Sequence, residues 1–267
     1  MDGFNSFFGS RRISTRSPKP LPTAEDILAT TARLSALEKL PTRPSLPYYA
    51  PAESLPAPLP TVDEILKTPP EAFGNGLGRN IYRVREHFLV KYGSCFGSET
   101  DISFQEGENM LFVQQSTNIP IPKLYAMFHD EETGLDFIIQ EFIPGNCLGS
   151  VWRKLDGDQR KAIASQMRRN MDELVVSLPQ ATTVLNGSVF THSHLYGSHL
   201  ILREDGTVVM INWENAGWYP IYWEYCCSYI GGRTPIKDDW AWLVQEMLDV
   251  HVVERELMIH HNRLIVS

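Results

Sequence analysis

The change of hydrophobic period at Pro144-Gly145 constrains this chain more than any other feature. Before it, apolar residues come in short runs bounded by turn residues: Ile81-Tyr82-Arg83-Val84, His87-Phe88-Leu89-Val90-Lys91-Tyr92, Lys123-Leu124-Tyr125-Ala126-Met127-Phe128 and Phe137-Ile138-Ile139-Gln140-Glu141-Phe142-Ile143. Runs of this length, rich in β-branched and aromatic residues, predict strands. After it, Asp156-Gly157-Asp158-Gln159 caps a long segment with Ile163, Met167, Met171 and Leu174 on one side of a helix. A strand-rich first half joined by a short Pro-Gly link to a helical second half predicts an α+β fold of two lobes, with the cleft between them as the ligand site.

Within the first half, the turn at Arg85-Glu86 makes a hairpin that carries Lys91 near the end of its second strand. Ser103-Phe104-Gln105-Glu106 reads as a capping box opening a helix that buries Met110, Leu111, Val113 and Phe112. That helix stops before Asn118-Ile119-Pro120-Ile121-Pro122, where the prolines force an extended chain. A last helix is predicted around Asp238 to Met258. Residues 1–58, interrupted by proline throughout, read as a disordered or Pro-rich tail in which only Ala24 to Leu40 has helical potential. Residues 59–143 then form the first lobe and 144–267 the second. A small echo, Pro22-Thr23-Ala24-Glu25-Asp26-Ile27-Leu28 and Pro60-Thr61-Val62-Asp63-Glu64-Ile65-Leu66, reads as a Thr N-cap with acidic first-turn residues at both places. Convergent capping explains it as well as duplication does.

With 267 residues and 43% apolar content, the chain can bury a substantial core. A net charge of −8 without a basic stripe argues against nucleic acid as a partner. No apolar run is long enough to span a membrane, and the first twenty residues lack the core of a secretory signal. Arg11, Arg12 and Arg16 among serines give a transit-peptide composition, but Asp2 and little helical potential favour a plain tail, and the expected location is cytoplasmic. Cys95, Cys147, Cys226 and Cys227 have neither a disulfide pattern nor a metal-binding spacing, which points to reduced thiols.

Five segments in order resemble the aminoglycoside phosphotransferase family of the protein-kinase-like fold, and more closely its fungal-type members. They are Leu89-Val90-Lys91-Tyr92-Gly93, Thr117 to Lys123, Gln140 to Gly145, Phe190-Thr191-His192-Ser193, and Asn212 to Tyr225. The resemblance implies ATP as cofactor, Lys91 at its phosphates and Glu106 as the helix glutamate pairing with that lysine. A local capping role for Glu106, with Glu108 as substitute partner, is the alternative. It likewise implies that Gln140, Glu141 and Ile143 form the hinge against adenine, although a plain buried edge strand would look identical. His192 becomes the histidine that braces the catalytic loop, and Trp213, Trp218, Tyr219, Tyr222, Trp223 and Tyr225 become core.

The family's catalytic loop reads T-H-G/S-D-L-x-x-x-N-I-L, and its metal motif I-D-W-E. Here His194 stands at the catalytic Asp, His199 at the metal-binding Asn, and Asn212 at the metal-binding Asp. Mg²⁺ wants carboxylate and phosphate oxygens, which neutral imidazole and an amide replace poorly. A short Pro179 to Val189 segment also stands where fungal-type members carry a long substrate-side insertion. The expectation is a pseudokinase-like protein that binds a small molecule or a protein. Two alternatives stand beside it: an active O-phosphotransferase recruiting Glu214 or Asp205, and a cleft repurposed in fungal metabolism for non-phosphoryl chemistry at His194. Three imidazoles within eight residues also suggest a transition-metal or acid/base centre, against which drift of an inherited loop is set.

Overall fold

The computed structural model describes residues 44–69, 81–94, 102–176, 188–230 and 237–266. In chain order its elements are β1 (Tyr48–Tyr49), α1 (Val62–Lys67), β2 (Ile81–Val84), β3 (Phe88–Gly93), α2 (Gln105–Ser116), β4 (Leu124–Asp130), β5 (Leu135–Glu141), β6 (Asn146–Cys147), α3 (Leu148–Val151), α4 (Gly157–Val176), β7 (Ser188–Thr191), β8 (Leu200–Leu202), β9 (Val208–Met210), β10 (Gly217–Pro220), α5 (Trp223–Ile230), α6 (Lys237–Met247) and α7 (Val252–Val266). The expected helix over Ala24 to Leu40, Cys95, and most of Pro179 to Val189 lie outside the described residues.

The first half is a five-stranded sheet in the order β1-β4-β5-β3-β2, with its described pairings antiparallel. Its strands alternate between two apolar layers, as a period of two requires. Phe88, Val90, Phe137 and Ile139 join an outer cluster closed by Ile65 of α1, while Ile138 joins the inner core shared with the helical half. A bulge in β4 between Leu124 and Ala126 lets Tyr125 and Ala126 both serve the outer layer, while Leu124 and Met127 serve the inner one. Helix α2 covers the inner face so closely that a Cβ on Gly107 would lie 2.6 Å from the Met127 sulfur.

At Gly145, φ is +149°, and a side chain there would strike the Leu202 carbonyl oxygen at 2.6 Å. The link between the halves therefore needs glycine, and it passes straight into β6, paired with β8. Beyond it, α4 buries Ile163, Met167, Met171 and Leu174. Its start is a reciprocal cap: Asp156 Oδ1 accepts from the Asp158 and Gln159 amides, and Gln159 Oε1 accepts from the Asp156 amide. This sheet followed by helices is the two-lobed α+β arrangement expected from the sequence.

Three expectations need correction. Tyr48–Tyr49, inside the stretch read as tail, form an edge strand paired with Met127 and Ala126. Their register with β4, which proline-rich composition does not reveal, fixes them there. The last helix is two helices, broken at 248–251 where Arg168 Nη2 binds Asp249 at 2.8 Å. Of the aromatic segment read as core, Trp213 and Tyr225 are buried and Trp218 and Tyr222 are half-buried against the core, whereas Tyr219 and Trp223 lie at its margin, stacked on each other. Among the described residues, no helix is long and apolar enough to cross a membrane.

Candidate functional site

Alternation along β3 turns Lys91 to the inner face, opposite Ile138 and toward α2. There Lys91 Nζ donates to both carboxylate oxygens of Glu106, each at 2.7 Å, with side-chain exposures of only 10% and 3%. Glu106 is therefore spent on the lysine, and the capping box is not formed. Ser103 Oγ instead accepts from the Gln105 amide at 3.2 Å. A cation and an anion removed from water together cost less than either alone, so the pair is held by mutual need.

Lys91 has a third contact, donating to Asn212 Oδ1 at 3.2 Å, which brings the sheet to the segment after β9. Asn212 sits at φ 66°, ψ 64°, a left-handed conformation that asparagine tolerates better than most residues. With its oxygen turned to the lysine, its Nδ2 faces His199 Nε2 at 3.4 Å. His199 Nδ1 lies 2.6 Å from the His194 carbonyl oxygen, so Nδ1 carries the proton and Nε2 accepts. Burial favours this neutral ring, holding the His199 pKa down at about 4.

The loop after β7 is framed by different residues. His192, fully buried, donates from Nε2 to the Ile211 carbonyl at 2.9 Å and accepts the His194 amide at Nδ1, 3.3 Å away. Burial drives its pKa down to about 3. Ser193 takes φ 61°, its amide donates to Glu224 Oε2 at 2.8 Å, and its hydroxyl accepts from Trp223 Nε1 at 2.8 Å. Burial lifts the Glu224 carboxyl to about 7 despite the backbone amides of Ser193 and His192, which donate to it. Leu195, completely buried, pins the loop's centre into the core.

His194 points into a more open neighbourhood. Its Nδ1 is 3.1 Å from Asn215 Nδ2 and 4.0 Å from Glu214 Oε1, and its ring lies 4.6 Å from that of His199. Asp205, the other carboxylate weighed as a recruit, is in the exposed β8–β9 turn and accepts the Thr207 amide at 2.9 Å.

The hinge positions fall at the end of β5. This strand is central, between β4 and β3, rather than an edge, and Gln140 is buried opposite Leu89 and Leu124. The Glu141 amide donates to Lys123 O and the Phe142 amide to His87 O, both at 2.8 Å. Ile143 is half-buried just beyond. Lys91, Glu106, Asn212, His199 and His194 are thus one connected network, and the hinge residues stand apart from it in the contacts they make.

Two framing residues escaped the sequence reading. Asn109 donates through Nδ2 to Trp213 O at 2.8 Å and Ala216 O at 2.9 Å, tying α2 to the segment that carries Asn212. Its signal was an asparagine beside Met110 on a buried helix face. Glu224 was the other, an acid in an aromatic run. Both are polar residues where the pattern asks for apolar ones, which marks a buried hydrogen-bonding duty.

The donor set does not fit Mg²⁺. His199 Nε2 and Asn212, at the two positions where the resemblance would put metal ligands, face each other, and the Asn212 oxygen is already on an ammonium. Among the described residues, no group of three or more His, Cys, Asp or Glu could hold a metal ion. The Lys91 ammonium has the Glu106 carboxylate as its countercharge.

No protein-family profile matches the chain, and no curated protein does. Among solved structures, the chain is similar to the GDP and kanamycin complex of the aminoglycoside phosphotransferase APH(2'')-IIIa. The identity is 13% and the TM-score 0.48, over 65% of this chain and 74% of that one.

Proposed function

We propose that this protein is a catalytically degenerate relative of the aminoglycoside phosphotransferases that acts by binding, a cytoplasmic pseudokinase-like protein whose cleft holds a small molecule or docks a partner. The observation that carries this reading is the direct Asn212–His199 contact, 3.4 Å, with Asn212 Oδ1 on Lys91. An Asp at 212 would place a carboxylate against the lone pair of a neutral His199, which must then protonate or give up its bond to the His194 carbonyl. The residues at 199 and 212 therefore suit each other and neither suits a magnesium–nucleotide complex. Charge supports the same reading at the loop, where His199 is neutral and Glu214 adds a negative charge; the Lys91–Glu106 pair is common to active and inactive proteins of this fold and does not discriminate.

The deciding experiment is a thermal-shift panel with ATP and ADP, each with and without Mg²⁺ or Mn²⁺, on the native protein and on the H194D/H199N/N212D variant. The native protein should show no metal-dependent shift, and the triple variant should gain one. Magnesium-dependent ATP turnover by the native protein, abolished by Lys91→Met, would overturn the proposal in favour of an active phosphotransferase recruiting Glu214.

One contact favours a second reading, non-phosphoryl acid/base chemistry: His194 Nδ1 lies 4.0 Å from Glu214 Oε1 on the more open side of the loop. Metabolite profiles of the producing cell should then change with His194→Ala, and unchanged profiles would remove that reading.

A further inference from the structure

Helix α1 is too short to hold itself. Isolated helices under about 12 residues are marginal in water, and α1 has six. Its stability comes from the outer face of the sheet. Within Pro58 to Leu66 the two buried residues are Pro60 and Ile65, the latter completely covered in the outer cluster with Phe88, Val90 and Phe137. Leu59 and Val62 pack at the margin of that cluster.

The polar contacts fix the register. Thr61 Oγ1 accepts the Glu64 amide at 3.2 Å, Arg85 Nε and Nη2 clasp the Glu64 carboxylate, with Nε at 2.7 Å, and Arg85 Nη1 donates to the Pro58 carbonyl at 2.8 Å. The docked unit thus begins at Pro58, three residues before Thr61, where capping chemistry starts.

That matters for the echo, because it also begins there. Pro20-Leu21-Pro22-Thr23-Ala24-Glu25-Asp26-Ile27-Leu28 matches Pro58-Leu59-Pro60-Thr61-Val62-Asp63-Glu64-Ile65-Leu66 residue for residue, apart from one small-for-larger aliphatic and two exchanged acids. Capping accounts for Thr and the acids. It does not account for a repeated Pro-Leu-Pro before them or Ile-Leu after them. The two residues that the sheet buries, Pro60 and Ile65, recur unchanged as Pro22 and Ile27, and the acid that Arg85 clasps recurs as Asp26.

We propose that the outer face of the sheet is a docking site for this Pro-Leu-Pro-Thr-x-acid-acid-Ile-Leu sequence, and that residues 20–28 of the same chain are its second ligand, exchanging with residues 58–66. The sixteen residue steps between Leu28 and Pro44 span up to about 50 Å when extended, enough to reach the face from where the described chain begins. A recess of about 580 Å³, lined by Leu59, Pro60, Thr61 and Val62 on one side and Tyr49 and Phe128 on the other, leaves the leading half of the docked segment approachable from solvent. Occupancy by 20–28 would keep the sheet covered while releasing 58–66. The exchange is independent of the cleft and of any reading of its chemistry.

Hydrogen–deuterium exchange of the full chain tests this. In Ile65→Asp the amides of residues 20–28 should gain protection relative to the native chain. The Ile27→Asp/Ile65→Asp protein should lose that protection and melt lower than Ile65→Asp, although Ile27→Asp alone changes little. Unaltered exchange in 20–28, together with no effect of Ile27→Asp on the Ile65→Asp background, overturns the proposal. Protection found only in a dimeric fraction also overturns it, assigning the ligand to a second copy. If Ile65→Asp does not fold, a fluorescent peptide of residues 18–31 added to full-length Ile65→Ala gives the answer. Saturable binding that an Ile27→Asp peptide lacks supports the site, and equal or absent binding of the two peptides overturns it.

Discussion

Replacing Glu106 with Gln changes no shape but removes the countercharge from a buried ammonium. Lys91 offers three N–H donors, two of which go to Glu106 at 2.7 Å and one to Asn212 at 3.2 Å. In Glu106→Gln only one amide oxygen remains to accept, and the amide NH₂ faces the ammonium. With the two side chains 10% and 3% exposed, solvent cannot repair the loss. Breaking such a pair from one side costs about 3–5 kcal/mol. For a chain of this size that lowers Tm by roughly 2–4 °C per kcal/mol. Lys91→Met should cost a similar amount by stranding Glu106. Lys91→Met/Glu106→Leu, which removes both charges, should recover to within about 1 kcal/mol of the native protein. Urea unfolding of all four proteins, compared at unchanged m-value, is the assay. If the two single costs simply add in the double variant, the pair is not the coupled, desolvated unit described above.

Acid stability should be governed partly by the two buried imidazoles, held at about 3 for His192 and about 4 for His199 against an ordinary 6.5. The unfolded chain takes up these protons near 6.5 and the folded chain does not. Their contribution is therefore intact above pH 6.5 and falls as pH drops below it, by up to about 1.4 kcal/mol per unit for each ring. Glu224 acts in the opposite sense: its pKa is raised from 4.5 to about 7, so its share is present below 4.5 and fades as pH rises through about 7. Urea midpoints between pH 5 and 8 should pass through a maximum, and His192→Gln should flatten the acid side; an unchanged acid slope would contradict the buried neutral ring. Asp156→Ala should cost about 1 kcal/mol through the lost α4 cap, read by the same denaturation, and no loss would mean that the cap is not what starts the helix.

Much of this was legible in sequence because it is local. Hairpin β2–β3, the end of α2 before the prolines, the Asp156 cap and the glycine link each depend on a few neighbouring residues, and each is where the pattern put it. The Lys91–Glu106 pair spans only a strand and a helix start, and the resemblance proposed it with a local cap for Glu106 as the alternative. What sequence hid was tertiary. Tyr48–Tyr49 look like tail until β4 offers an edge, and no proline or glycine marks the break between α6 and α7 near Asp249. The role of Asn109 depends on carbonyls more than a hundred residues away. Glu106 shows the limit most clearly: a capping box and a lysine partner predict the same residue, and only the third dimension says which bond it makes.

The residues that frame the loop are distinct from those whose side-chain tips face one another across it, so the backbone can be held whatever those tips carry. His192, Glu224, Asn109 and Leu195 hold the loop through backbone amides, backbone carbonyls and burial, none of which depends on what His194, His199 or Asn212 carries at its tip. The strained positions follow the same division. Ser193 and Asn212 both take positive φ, and a carboxylate or an amide at 212 meets the same backbone demand, since Asp and Asn alike tolerate that region. Replacing a metal-binding acid by its amide is thus nearly free for the fold, while for a cation it removes the charge that binding requires. Once Asn212 is present, His199 gains a donor for its free nitrogen, and a neutral buried imidazole that would otherwise be orphaned becomes satisfied. Each side chain satisfies the other, so replacing either alone should cost stability, and the joint H199N/N212D variant should cost less than the two single changes added together.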